Sequence, residues 1–175
     1  MLRHQFPSVP VRVVEFTAHT PVAQQLHTMA TTGVLLSVHT SALANAIFLP
    51  PGAAVVELIH LNWPWDSLDR SFKVQSDARG DLHHFAWRAV SKDHAQYINP
   101  RDEHRFGGEE WAGVKCDTEE CVEAHTNIDV IVDIVAVRAL LVSRLPLVWN
   151  GTAVEVAALP WPKPQGATDS SSTAG

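Results

Sequence analysis

The chain has 175 residues, 46% of them hydrophobic and 18% charged, with a formal net charge of −6. That length fits one domain with a real core, and the negative balance excludes a basic nucleic-acid surface. No apolar run approaches the roughly 18 residues that span a bilayer. The start, Met1-Leu2-Arg3-His4-Gln5, lacks the apolar core of a signal peptide, so the chain reads either as cytosolic or as a carboxyl-terminal piece of something longer.

Val11 to Phe16 is rich in β-branched residues and predicts a strand. Thr20 and Pro21 predict the start of a helix over 21–31, with Thr20 as its cap and Pro21 in the first helical position. Val22, Leu26, Met29 and Ala30 share a face of that helix, and Gly33 ends it. An apolar strand follows at Val34 to Val38 and stops at a polar knot, His39-Thr40-Ser41. The Ala-rich stretch from Ala42 predicts a short helix, which Pro50-Pro51-Gly52 terminates, and Ala54 to Ile59 predicts the next strand.

Beyond an aromatic, turn-rich stretch at 61–70, residues 68–78 predict a helix and His83 to Val90 a further strand. Residues 99–123 are polar and acidic, contain Gly107-Gly108, and read as a long loop. The apolar run from Asp129 to Leu145 predicts a helix near 128–144, although its first residues are β-branched enough to mimic a strand. Past Pro160 the composition turns to Pro, Ser, Thr and Gly. The chain therefore divides into a lead-in (1–10), one α/β domain (11–160) and a disordered tail (161–175). The order β-α-β-α-β predicts a Rossmann-like parallel sheet covered by helices.

The His39-Thr40-Ser41 turn sits where α/β sheets place ligands, outside the carboxyl end of a strand and at the amino end of a helix. Unpaired helix N–H groups, two hydroxyls and an imidazole suit an anion. The same residues also make an ordinary helix cap beside a half-buried histidine. Asn45, one turn beyond Ser41, either reaches the same ligand or ties down a neighbouring loop. Glu57 ends an apolar strand. A buried acid needs a partner, so it pairs within the fold or holds a hydroxyl pair such as a ribose diol.

Cys116-x4-Cys121-x3-His125 reads as a short-loop disulfide in a secreted domain or, together with His104, as a zinc set. Asn150-Gly151-Thr152 is a glycosylation sequon. Nucleophile elbows, Walker loops and glycine-rich dinucleotide fingerprints are absent from the sequence.

The run HTSALANAIFLPPGAAVVEL resembles a stretch of the glycosyltransferase 61 family, which includes plant xylosyl- and arabinosyltransferases and O-GlcNAc transferases of the secretory pathway. His39, Ala42-Leu43, Asn45, Phe48-Leu49-Pro50, Gly52 and Val55-Val56-Glu57 stand in the places of that family's motif. Thr40-Ser41 replaces the family's Gly-Ala after the histidine. The resemblance extends more weakly over residues 10–145.

The resemblance implies the carboxyl-terminal, nucleotide-sugar half of a GT-B glycosyltransferase, without the acceptor half that would carry a general base. It implies inverting transfer from a UDP-sugar to a hydroxyl of a glycan or glycoprotein acceptor. His39, Thr40, Ser41, Ala42, Asn45 and Glu57 would surround the donor. No metal would be obligatory, because no Asp-x-Asp motif occurs. Any membrane anchor would lie outside this chain, and the compartment would be the Golgi or ER lumen. A non-catalytic or truncated homologue acting as a binding scaffold is the alternative, and a cytosolic zinc protein built on the Cys–His loop is a third reading.

Overall fold

A computed structural model describes residues 2–63, 70–111, 116 and 118–151. The proposed tail at 161–175 and Thr152 of the sequon lie outside these residues.

Three parallel strands form the centre: β1 (Val34–Val38), β2 (Ala54–Ile59) and β3 (His83–Arg88), in the order β1-β2-β3. A 3-10 helix, Ser41–Phe48, connects β1 to β2, and helix α3 (Ser71–Arg79) lies between β2 and β3. Helix α1 (Leu2–Gln5) and helix α2 (Val22–Ala30) precede the sheet. The architecture is α/β and compatible with a Rossmann-like fold.

All six residues of β2 are buried, as expected of a parallel strand covered on both faces. Side chains alternate between those faces. Val55 joins Met29, Leu43, Ala46, Leu49 and Leu82 on one side. Ala54, Val56 and Leu58 join Phe85 on the other, against Val137, Leu141 and Leu145 of helix α6 (Ile134–Trp149).

Local chemistry fixes the ends of these elements. The Asp133 carboxylate accepts from the N–H groups of Val135 and Ala136, both at 2.9 Å, and caps α6. Gly80, at φ +70°, closes α3 in the left-handed conformation that glycine adopts without a Cβ penalty. Arg79 donates through Nη1 to the carbonyls of Ile47 and Leu49, at 3.0 and 2.9 Å, which satisfies the end of the 3-10 helix.

A second region follows β3. Strand β4 (Ala95–Tyr97) pairs antiparallel with β5 (Ile128–Val130). Between them lie helix α4 (Pro100–Phe106), capped by Asn99, and helix α5 (Glu119–Thr126), capped by Thr118. Phe106, Cys116, Cys121 and Ala124 form its small core, with Tyr97 and Trp111 packed against it. Cys116 and Cys121 form a disulfide. Asn62, in the left-handed conformation at φ +52°, turns the chain after β2 and reaches this region through its side-chain amide, which donates to the Trp111 carbonyl.

Four expectations are corrected. Residues 11–16 form no strand, and Val13 is 91% exposed; β-branched residues favour a strand only where a neighbouring ladder receives them. The loop expected over 99–123 contains α4, a 3-10 turn at Glu109–Trp111, and α5, each helix started by a side-chain cap that outweighs the polar composition. The helix expected near 128–144 begins at Ile134, because Ile128–Val130 pairs with β4. Thr20 does not cap α2: its hydroxyl accepts from the Thr17 N–H at 2.9 Å, and Pro21 occupies the cap position. Among the apolar residues of the α2 face only Met29 is buried, and Val22 is 69% exposed. Among the described residues no helix is long and apolar enough to cross a membrane.

Candidate functional site

The site begins where β1 ends. The His39 N–H donates to the Leu58 carbonyl at 2.8 Å, which carries the β1–β2 ladder one step past the strand. Glu57 lies opposite Ser37 on one side and Ala86 on the other. His84 is two positions before Ala86, so it shares a sheet face with Glu57. The two histidines flank the carboxylate: His39 Nδ1 bonds Oε1, and His84 Nε2 bonds Oε2 at 2.8 Å.

Glu57 is wholly buried and His39 is 6% exposed. Burial pushes the Glu57 carboxyl up, but hydrogen bonds from His39 and His84 and their charge outweigh it and hold the group below its ordinary value. A carboxylate accepts and does not donate, so the proton of His39 sits on Nδ1 and Nε2 is left to act.

The His39 ring packs between Trp63, with centroids 4.7 Å apart, and Phe72, at 5.0 Å. His60 lies 5.1 Å from Trp63. Burial, followed by the proximity of His39, lowers the His60 pKa to about 4 against the opposing pull of Glu57. Among the described residues, the buried Nδ1 of His60 and Nε1 of Trp63 have no hydrogen-bond partner.

The Thr40-Ser41-Ala42 turn is exposed. Thr40 is extended, at φ −143° and ψ 168°, and its hydroxyl makes no capping bond to the 3-10 helix. The first helical bond runs from the Leu43 N–H to the Thr40 carbonyl at 3.0 Å, so the preceding N–H groups of Ser41 and Ala42 lie ahead of the ladder. Asn45 turns back on this loop, its Nδ2 donating to the Ala42 carbonyl at 3.1 Å. The arrangement offers hydroxyls and amides on the outside and a carboxylate-anchored imidazole behind them.

The residues singled out from sequence therefore gather at one edge of the sheet in two layers. His39 and Glu57 are inside and bonded to each other, Thr40, Ser41 and Ala42 are outside, and Asn45 braces the turn. Sequence reasoning missed His84, His60 and Trp63. The alternation His84, Ala86, Arg88 was available as a signal, but the partner of His84 depends on parallel register, which the pattern of one strand does not give.

The Cys–His loop forms a separate centre. His125 is fully buried beneath the disulfide, and burial lowers its pKa against the raising effect of its bond to the Cys121 backbone. Among the described residues, Cys116, Cys121 and His125 are the group with metal-ligand proximity. His104 is exposed on α4 and takes no part, so the four-ligand zinc set is not assembled, and the disulfide occupies both sulfurs.

Residues 1–56 match the family model described as Glycosyltransferase 61. The matched segment includes α2, β1, the His39-Thr40-Ser41 turn and Asn45, and it stops one residue before Glu57. The match covers residues 1–56 of the 175, so that segment is similar to part of the glycosyltransferase 61 domain. No curated protein matches the chain.

Proposed function

We propose that this chain holds the donor in a glycosyltransferase reaction: it binds a UDP-sugar, in the manner of the carboxyl-terminal half of a GT-B enzyme, for transfer to a hydroxyl of a glycan or glycoprotein. The observation that carries this reading is the end of β1, where the exposed Thr40-Ser41-Ala42 turn directly follows a histidine fixed by a buried carboxylate. The match over residues 1–56 covers that turn.

The diphosphate lies over the turn, accepting from the N–H groups of Ser41 and Ala42 and from the hydroxyls of Thr40 and Ser41. His39 donates to the diphosphate through Nε2 when both ring nitrogens carry protons, and Glu57 keeps its ring oriented. Asn45 holds the turn rather than the ligand. Transfer is inverting: the acceptor oxygen displaces UDP in one step, and the leaving diphosphate gains negative charge. Fixed donors at that point lower the barrier by about 3–4 kcal/mol for a well-placed group. No metal is required by this donor set. The disulfide and the family match favour the secretory pathway, in the Golgi or ER lumen.

Calorimetric titration of the whole chain with UDP, UDP-GlcNAc, UDP-xylose and a GDP-sugar tests the reading. Thr40→Val keeps the shape of an exposed residue and removes one hydroxyl, and it should weaken UDP binding by about 1 kcal/mol. His39→Ala should cost about 1–3 kcal/mol in the folded fraction. A parent chain that binds none of the four at millimolar concentration would sink the reading and leave the scaffold alternative.

A further inference from the structure

The centre beneath the disulfide has features that a structural crosslink does not need. Cys121 and His125 are one helical turn apart on α5 and share a face, and Cys116 lies against both. All three are buried. The Nδ1 of His125 lies 3.3 Å from Cys116 Sγ and 3.6 Å from Cys121 Sγ. In a tetrahedral zinc site, a Zn–N bond of about 2.0 Å and a Zn–S bond of about 2.3 Å set the nitrogen–sulfur edges at about 3.5 Å. Two edges of such a site therefore already have the right length. The third, between the sulfurs, opens to about 3.8 Å only when the disulfide is broken.

The far nitrogen of His125 is served in either tautomer. In the disulfide form Nδ1–H donates to the Cys121 carbonyl at 2.9 Å, and Nε2 accepts from the Asn62 amide at 3.3 Å. The Tyr97 hydroxyl, 3.2 Å from Nε2, donates its own hydrogen to the Phe106 carbonyl at 2.9 Å. It can therefore accept from Nε2–H once Nδ1 turns its lone pair to a metal. A hydrogen-bond acceptor behind a ligating histidine is what fixes the tautomer in metal sites.

The geometry points to a redox-gated site for a divalent zinc-like cation, held by Cys116 Sγ, Cys121 Sγ and His125 Nδ1 in the reduced protein, with water or an exogenous ligand in the fourth position. A dithiol reductant supplies two electrons and two protons. The protein disulfide becomes two thiols and the dithiol becomes a disulfide. The cation then displaces the two thiol protons to solvent, while the imidazole stays neutral and shifts its proton to Nε2. A small-molecule disulfide reverses the step: it takes the two electrons and, with two protons from solvent, becomes two thiols, while Cys116 and Cys121 rejoin and the cation is released. In the oxidised form the same residues serve as the crosslink already described.

The test uses the whole chain, reduced with a phosphine that takes its oxygen from water and then freed of excess reagent, with Co²⁺ as the spectroscopic probe. The reduced chain should bind one Co²⁺ with thiolate charge-transfer and tetrahedral ligand-field bands, Zn²⁺ should displace it, and the oxidised chain should show neither band. His125→Ala should weaken Co²⁺ binding at least tenfold. Tyr97→Phe, which removes only the acceptor behind the ring, should weaken it by about tenfold. Equal binding by oxidised and reduced protein, or undiminished binding by His125→Ala, would overturn the proposal. So would a reduced chain that loses its circular dichroism signal and does not regain it with Zn²⁺.

Discussion

All six residues of β2 are buried, whereas α5 buries only Cys121, Ala124 and His125 of its eight. The two parts of the molecule hold together by different means. The sheet is covered on both faces, by the 3-10 helix and α2 on one side and α6 on the other, and hydrophobic burial stabilises it. Among the described residues the second region has two short strands and one cluster of four buried apolar side chains, and it adds a disulfide, two helix caps and a buried polar cluster around His125. Both regions bury a histidine. In the sheet it is bonded to a carboxylate and lies behind an open turn; under the disulfide it faces sulfur.

The comparison is sharpest where one region is weakened and the other left intact. Leu141→Ala removes a side chain wedged between α6 and the sheet and should destabilise the chain by about 2–5 kcal/mol, read from the urea midpoint. Reducing the disulfide should cost about 2 kcal/mol, because the loop it closes is short. If reduction costs as much as Leu141→Ala, the second region is a larger contributor than its core suggests.

Acid should act on the sheet edge. His60 titrates at about 4 in the folded chain and near 6.5 when unfolded, so the unfolded state binds more protons between those values and stability falls as pH drops through that window. The loss between pH 7 and pH 5 should be on the order of 2 kcal/mol. Glu57, also lowered, loses its contribution at still lower pH, as the pH falls from its unfolded value of 4.5 through the folded one. His125 shifts in the same direction as His60, so the variant His60→Leu separates the regions: its urea midpoint should depend less on pH than that of the parent. The smallest effects belong to the caps. Asp133→Ala and Thr118→Ala should each cost about 1 kcal/mol, the first larger because Asp133 accepts two N–H bonds and Thr118 one; equal losses would blur the contrast.

The sheet was readable because its strands are apolar runs ended by turn residues. Val34–Val38 begins after Gly33, Ala54–Ile59 after Pro50-Pro51-Gly52, and His83–Arg88 shortly after Gly80. The second region was not, because α4 and α5 are short, polar helices started by the Asn99 and Thr118 caps rather than by an apolar stripe. At the site, His39, the turn and Glu57 were visible as residue types. Their bonding was not, since Glu57 meets His84 only through the β2–β3 register. Residues 11–16 show the opposite failure, a strand composition with no ladder to join.

The packing of α6 on the sheet has a consequence for how the chain is made. Val56 and Leu141 share one cluster across about 85 positions of sequence, and such distant contacts close slowly. On the ribosome, the face of β2 that carries Val56 and Leu58 emerges long before the helix that covers it. Until α6 is released, that face is an unsheltered apolar surface, and this stretch of synthesis is when the nascent chain is most exposed to self-association or to capture by a chaperone.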